Sequence, residues 1–373
     1  MIKDFPKLLK RSYKPLNIIE ISKNNLLSNY KYLFNKSNLI TAPVLKSNAY
    51  GHGIVEVAKI LDNVGAPFFC VDSLYEAYAL LNSGIKTKIL IMGFIDPVSL
   101  DTKSLPFSFA VFTKKQLLAL SKNQTNAKIH IFVDTGMHRE GVTLDDLPDF
   151  IKIVKKTKLV VEGVMSHFGE SEAPNNIQTK KQCMQFEKAL GLMKATGINP
   201  KYVHFANSSG ILNSRKFETL GNVVRAGISL YGIDPIGIDK HLKPVLSFKT
   251  HIAQVKTLKK GESIGYNFTF TAKKSTKIAI LPVGYNDGVD RKLSNVGYAM
   301  VKNNYCKFLG LISMNIAAID VSNFINVEQG MEVTIFSANP KDNNSICNSA
   351  RLTNTIPYEL LVHLHPSTKR IVV

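Results

Sequence analysis

Residues 39–84, LITAPVLKSNAYGHGIVEVAKILDNVGAPFFCVDSLYEAYALLNSG, set the rhythm of the first two thirds of the chain. A short apolar run (39–45) enters a glycine-flanked turn, and an amphipathic segment follows (54–65). A second apolar run (68–72) then leads into another amphipathic stretch that closes at a glycine (73–84). Short buried runs without strict alternation, separated by segments with apolar residues every three or four positions, are the pattern of parallel strands joined by helices. Glycine just past an apolar helical face is a common helix stop. The alternation continues through apolar runs at 88–93, 107–111, 128–133, 159–166, 202–205 and 223–226, with a long periodic stretch at 177–197. The pattern predicts an α/β chain whose eight strands close into a (β/α)8 barrel of the TIM type; six or seven strands in an open sheet is the competing count.

After about residue 240 the texture changes. Stretches 250–267, 275–288, 297–321 and 331–337 are strand-like and joined by turns, and helical periodicity returns only at 345–361. This predicts a barrel domain over 1–243 and a β-strand-rich C-terminal domain over 244–373.

Composition limits the function classes. The 373 residues are 45% hydrophobic and 20% charged, enough for a sizeable core and unlike disordered or coiled-coil chains. No apolar stretch approaches the roughly 18 residues that span a bilayer, and the basic start MIKDFPKLLKRSYKP lacks the apolar centre of a secretory signal. Cysteines at 70, 183, 306 and 347 form no CxxC pair, so neither a zinc site nor a disulfide framework is expected, and a cytoplasmic location is. The net charge of +19 raises nucleic acid or an anionic membrane as partners. The basic residues are scattered, however, in short clusters such as Lys155, Lys156 and Lys158, or Lys273, Lys274 and Lys277. No RNA-binding aromatic motif accompanies them, so they read as solvated faces, and neither nucleic acid nor membrane is expected.

Chemistry concentrates at the ends of the predicted barrel strands. In VLKSNAYGHG (44–53), Lys46 ends the first strand and is followed by Tyr50 and His52. A lysine at the C-terminal mouth of a barrel strand lies in the usual active-site location, and apolar surroundings can prepare an amine for Schiff-base chemistry. Arg139 follows the fifth strand, His167 the sixth, and His204, Asn207 and Ser208 the seventh; Arg225 lies on the eighth, with the Gly227 and Ile228 amides just beyond. Each has an ordinary structural explanation: a solvated arginine, a core histidine, a capping Asn–Ser pair. On one rim they combine cations, hydroxyls and backbone N–H groups after strands seven and eight, where this fold often binds phosphate. An imine-forming lysine beside a phosphate cradle describes a pyridoxal-phosphate site.

These stretches also carry a resemblance. LKSNAYGHG (45–53), DTGMHR (134–139), SHF (166–168), ANS (206–208), VRAGISLYG (224–232), VGYNDG (283–288), SM (313–314) and TIPYE (355–359) occur in the order of the alanine racemase motifs. Alanine racemases are fold-type III pyridoxal-phosphate enzymes, and the resemblance runs from about Pro15 to the C-terminus. It implies that Lys46 holds pyridoxal 5'-phosphate covalently, with Tyr50, Ser208, Gly227, Ile228 and Tyr358 on the phosphate. Arg225 would face the pyridine nitrogen, Arg139 the phenolic oxygen, and His167 and Asn207 would complete the cofactor surroundings. Tyr285, from the partner subunit of a homodimer, would be the second catalytic base. The Met314 backbone amide would meet the substrate carboxylate, and Tyr266 would line the entrance. The implied reaction interconverts L-alanine and D-alanine and supplies D-alanine for peptidoglycan. Inversion needs bases on both faces of a planar carbon, and a phenol, which ordinarily ionises near 10, needs nearby positive charge to serve as one. His167 and Arg225 would supply that relay. An arginine, which does not give up its proton, would leave the ring nitrogen unprotonated and restrain side reactions.

Three positions depart from the family pattern. Phe132 stands where the family carries a lysine, often carbamylated, that orients the arginine matching Arg139; a neutral contact or a bound anion is the expected replacement. GLISMN (310–315) replaces G-R-x-S-M-D, putting Leu311 for arginine and Asn315 for aspartate, which bears on turnover and substrate preference. The C-terminal R-V-P-R pattern reads TKRIVV (368–373). The alternatives are a racemase of broader specificity, for serine or other small amino acids, and a basic nucleic-acid-binding protein on an inactive barrel. A basic amino-acid decarboxylase shares the fold, but Arg225 argues against it.

Overall fold

The structure, a computed structural model, describes residues 14–213, 220–237 and 239–373. After a first strand, β1 (Ile18–Ile21), the chain lays down β2 (Ile40–Pro43), β3 (Phe69–Val71), β4 (Ile89–Ile91), β5 (Ser108–Val111), β6 (Lys128–Phe132), β7 (Val160–Met165), β8 (Tyr202–His204) and β9 (Val223–Ala226). The eight strands β2 to β9 form one parallel sheet in the order β2-β9-β8-β7-β6-β5-β4-β3. The two end strands meet at a parallel bridge between Val44 and Cys70, where Leu45 N–H donates to Cys70 O at 2.8 Å. The closed eight-stranded count therefore holds over the open sheet. Ala42, Val44, Phe68, Cys70, Leu90, Tyr202 and Val223 pack inside as one buried cluster, so the barrel is filled rather than a pore.

Local signals start the surrounding helices. Ser22, Ser73 and Thr113 each accept a backbone N–H with their side-chain oxygen at the N-termini of Lys23–Ser37, Leu74–Asn82 and Lys114–Asn123, an arrangement typically worth about 1 kcal/mol per helix. The helix expected over 54–65 stops at Leu61. The Asp62 carboxylate accepts the Lys86 and Thr87 amides and the Thr87 hydroxyl, tying the chain before β4 to the helix end.

The chain divides into two compact units, Ser22–Val245 and a second formed by Leu246–Val373 with the described residues up to Ile21. The barrel domain expected over 1–243 thus yields β1 to the other unit. Its burial alternates, with Ile19 and Ile21 at 0% exposure and Ile18 and Glu20 partly open, which suits a sheet covered on one face rather than a barrel wall. In that unit follow β10 (Leu246–His251), β11 (Gln254–Leu258), β12 (Ser263–Ile264), β13 (Phe270–Thr271), β14 (Thr276–Leu281), β15 (Tyr298–Val301), β16 (Asn304–Lys307), β17 (Ala317–Asp320), β18 (Glu332–Phe336) and β19 (Lys369–Val372). The main sheet runs β16-β15-β18-β10-β1-β19, beside a three-stranded sheet β11-β14-β17 and the hairpin β12-β13. The helical stretch expected over 345–361 forms as Ile346–Leu352 and Pro357–Val362. No helix among the described residues is long and apolar enough to cross a membrane.

Candidate active site

Lys46 leaves the C-terminal end of β2 into a backbone conformation that L-residues avoid. Ser47, Asn48, Ala49 and Tyr50 all have φ between 52° and 55°, a left-handed turn completed by Gly51 at 76°. Each such residue costs roughly 1–2 kcal/mol, so neighbouring groups must hold the turn in place. Glu76 does so with both oxygens: Oε1 accepts Asn48 N–H at 3.2 Å and Oε2 accepts Asp72 N–H at 2.8 Å. Asn48 Oδ1 accepts Ile54 N–H at 2.9 Å, and Ala49 is fully buried. The Lys46 amine stands 3.8 Å from Asp72 Oδ1, half-exposed on the rim.

On the neighbouring strand β9, where it pairs with Ala42 of β2, Arg225 is buried at 3% exposure. Its Nη1 donates to His204 Nδ1 (2.8 Å) and His204 O (2.9 Å); its Nη2 donates to Ser166 O (2.6 Å), His167 Nδ1 (3.0 Å) and Phe205 O (3.2 Å). Burial brings the guanidinium down to about 10, and the Arg139 charge adds to that. His167 and His204 are held well below the usual histidine range, first by burial and then by the Arg225 charge.

Beside Arg225 lies a small polar cradle. Ser208 Oγ accepts the Gly227 and Ser229 amides at 3.0 and 3.2 Å, and Ile228 opens the next turn. A Cβ on Gly227 would fall 2.8 Å from Tyr50 Oη, so the glycine keeps the phenol, the Ser208 hydroxyl and the backbone together. Tyr50 leans on Tyr231, with ring centroids 5.1 Å apart, and Tyr231 Oη donates to Val44 O at 2.8 Å. Asn207 caps the helix Ser208–Leu212: its Oδ1 accepts Gly210 N–H (3.0 Å) and Ser171 Oγ–H (2.6 Å). Its side-chain oxygen is therefore engaged in holding Ser208 at the helix start.

Around Arg139 the expectation of a neutral contact or an anion needs correcting. Arg139 Nε lies 3.4 Å from the carboxylate of its neighbour Glu140, both partly exposed. Phe132 plays no part in that pairing. It is buried in an apolar cluster with Ala110 and Met165, and Met92 and Phe112 pack against it. The loop carrying Arg139 is shaped by Asp134, whose Oδ1 accepts the Gly136 and His138 amides. Burial pulls the Asp134 carboxyl upward, but these bonds outweigh it and hold the group below its ordinary range.

The other unit groups a second set. Tyr285, 43% exposed, sits in the turn after β14, where Tyr285 N–H donates to Ser313 O at 3.0 Å and Asn286 N–H to Met314 O at 2.9 Å. A Cβ on Gly284 would meet Ser313 O at 2.1 Å, so only glycine lets the Tyr285 turn approach the Met314 loop this closely. Gly310 packs the same loop onto Ile264 O (2.7 Å to a Cβ placed there), next to exposed Tyr266. Gly288 approaches Leu364 at the end of the segment that carries Tyr358. Thus Lys46, Tyr50, Arg139, His167, Asn207, Ser208, Arg225, Gly227 and Ile228 lie on the barrel unit, and Tyr266, Tyr285, Met314 and Tyr358 on the other.

Several contributing residues escaped the sequence reading. Glu76 clamps the Lys46 turn, and its one local signal, the Ser73-x-x-Glu76 pattern of a capping box, reads as an ordinary helix start, although its carboxylate turns to Asn48 and Asp72 instead of Ser73. Asp287 accepts Gly284 N–H at 2.9 Å, and Asn17 donates to both Asp287 Oδ1 and Pro282 O, bracing the Tyr285 turn from 270 positions away in sequence. No local pattern could have announced that contact.

Comparison with known proteins follows the same division. The alanine racemase N-terminal domain model matches residues 21–235 and the alanine racemase C-terminal domain model residues 245–372. An alanine racemase of Fusobacterium nucleatum is 35% identical over 363 residues, covering 95% of this chain and 99% of the relative. One from Ligilactobacillus salivarius is 32% identical over 375 residues, covering 97% and 98%. Among solved structures, alanine racemase from Bacillus anthracis with bound L-Ala-P superposes with a TM-score of 0.89 at 29% identity, covering 97% of this chain and 96% of that one. The Bartonella henselae enzyme, with covalently bound pyridoxal phosphate, gives a TM-score of 0.83 at 26% identity over 96% and 100% of the two chains. With both domain models matched along nearly its whole length, this chain belongs to the alanine racemase family.

Proposed function

We propose that this chain binds pyridoxal 5'-phosphate at the barrel mouth and interconverts L-alanine and D-alanine, with Lys46 and Tyr285 as the two bases. One observation carries the reading: a half-exposed lysine and a hydroxyl-and-amide cradle, which a side chain on Gly227 would fill, share one rim. That donor set fits the group: an amine for its aldehyde, Tyr50, Ser208 and backbone amides for its phosphate, and a fixed cation, Arg225, for its ring nitrogen. When bound, pyridoxal phosphate supplies the electron sink that makes the alanine Cα–H acidic.

The protein's own groups do the rest. Lys46 takes or returns a proton on one face of the substrate. Tyr285 serves the opposite face and is contributed by the second subunit of a homodimer. Because a guanidinium can only donate, Arg225 Nη2 obliges His167 Nδ1 to accept. The His167 proton then lies on Nε2, where it can hydrogen-bond the Tyr285 phenol and favour its ionised form. Arg139 would hold the cofactor in place of its pairing with Glu140, and the Met314 amide would orient the substrate carboxylate past Tyr266. A cytoplasmic dimer supplying D-alanine to peptidoglycan synthesis follows from this reading.

The test is the spectrum of the purified protein together with loss of optical activity from L-alanine. Lys46→Ala should abolish the covalent cofactor absorbance. Tyr285→Phe should keep that absorbance but cripple the L-to-D direction; full activity in that variant overturns the two-base assignment. Relative turnover on serine measures how far Leu311 and Asn315 widen the substrate range.

A further inference from the structure

Arg225 is one end of a polar chain that runs through the barrel interior to the other ends of the strands. His204 Nε2 lies 2.7 Å from His130 Nδ1, and His130 Nε2, buried and without a hydrogen-bond partner among the described residues, faces Glu162 Oε2 across 3.5 Å. Glu162 is 9% exposed and is met by Ser108 Oγ (2.9 Å), Lys128 Nζ (3.5 Å) and Lys88 Nζ (3.8 Å). Ser108 and Lys128 begin β5 and β6, and Lys88 precedes β4, so Glu162 is anchored near the strand starts, away from the rim that carries Lys46. Both imidazoles have 0% exposure; Phe68 packs against both rings and Tyr202 stacks on His130. Room for the His130 ring exists because residue 163 is glycine: a Cβ there would strike His130 Nδ1 at 2.3 Å.

The chain has a direction. Arg225 can only donate, so His204 Nδ1 accepts and His204 carries its proton on Nε2. That proton is donated to His130 Nδ1, which leaves the His130 proton on Nε2, facing the carboxylate. Every link therefore points from Arg225 toward Glu162. A carboxylate can only accept, so it closes the sequence at the one end where a donor arrives. Among the described residues no carboxylate bonds Arg225 directly, and Glu162 is the anion reached along this route.

We infer that Glu162 is a positioning residue for Arg225, acting through His130 and His204 to fix both histidine tautomers and the set of the guanidinium that the proposed function places against the cofactor. The inference deepens that reading and rests on it for what Arg225 faces, but the proton order stands by itself.

The experiment is a long-range proton–nitrogen correlation spectrum of full-length, cofactor-loaded protein labelled with 15N at histidine, assigned through His130→Gln and His204→Gln. Wild type should show both residues as neutral Nε2–H tautomers. In Glu162→Ala, His130 should lose its single tautomer, and kcat should fall about tenfold with KM for alanine little changed, a pattern expected when a group acts in the reaction rather than in binding. Glu162→Gln, whose amide oxygen keeps an acceptor facing His130 Nε2, should restore most of both signals. An Nδ1–H tautomer or an imidazolium at either histidine overturns the inference, as does identical behaviour of the two Glu162 variants. If Glu162→Ala does not fold, the wild-type tautomers still decide. A failure of the proposed function would show differently, as absent cofactor absorbance in wild type.

Discussion

Tyr50 Oη stands where a side chain on Gly227 would have to go, 2.8 Å from a Cβ placed there, with Ser208 Oγ at 3.5 Å. The cradle is thus defined by an absent methyl group as much as by its donors. Gly227→Ala should push the phenol aside and weaken pyridoxal-phosphate retention by about tenfold, about 1.4 kcal/mol. Titration of the stripped protein with the cofactor measures this; unchanged affinity would mean that the cradle does not hold the phosphate.

Glu76 restrains the left-handed turn after Lys46 through two backbone amides. Glu76→Ala leaves both without that acceptor and should slow reloading of stripped protein with pyridoxal phosphate by about tenfold, because the amine must then find its position from a looser turn. Glu76→Gln, which keeps one carbonyl-type acceptor, should fall between. Reloading followed by absorbance checks both, and equal rates in all three proteins would remove Glu76 from this role.

Phe132 is surrounded by Ala110, Met165, Met92 and Phe112. Phe132→Lys should therefore destabilise the barrel by about 3 kcal/mol, since the new ammonium would be buried among apolar groups. Chemical denaturation gives the value. A variant as stable as wild type would show that the surroundings of position 132 can reorganise to solvate a charge.

Burial pushes the Glu162 carboxyl up, but the contacts from His130, Ser108 and Lys128 outweigh it and bring it down to about 2. A carboxylate whose folded value is depressed adds stability that is complete above its unfolded value, near about 4.3, and is lost as pH falls toward the folded one. The Tm difference between wild type and Glu162→Gln should therefore be largest at neutral pH and shrink between roughly pH 4 and 2. Melting curves across that range test it; a difference that grows on acidification contradicts the assignment.

The eight barrel strands were legible because each is a short apolar run between amphipathic segments, a local pattern that any chain of this texture must satisfy by burying both sheet faces. Lys46, Arg225 and Ser208 were legible as rim residues for the same reason: once the strands are counted, their ends are known. The membership of β1 was not. IIEI is too short to name its partners, and β10 and β19, which flank it, come more than 220 and 340 residues later. Nor could sequence place Glu76 on the Lys46 turn or Asn17 behind Tyr285, because these are choices among several sterically open partners. Glu162 and His130 look like ordinary strand residues in isolation, and nothing local ties them to His204 or Arg225. They become one directed chain only when parallel strands bring β6, β7, β8 and β9 side by side, because hydrogen bonds depend on distances that chain order does not set.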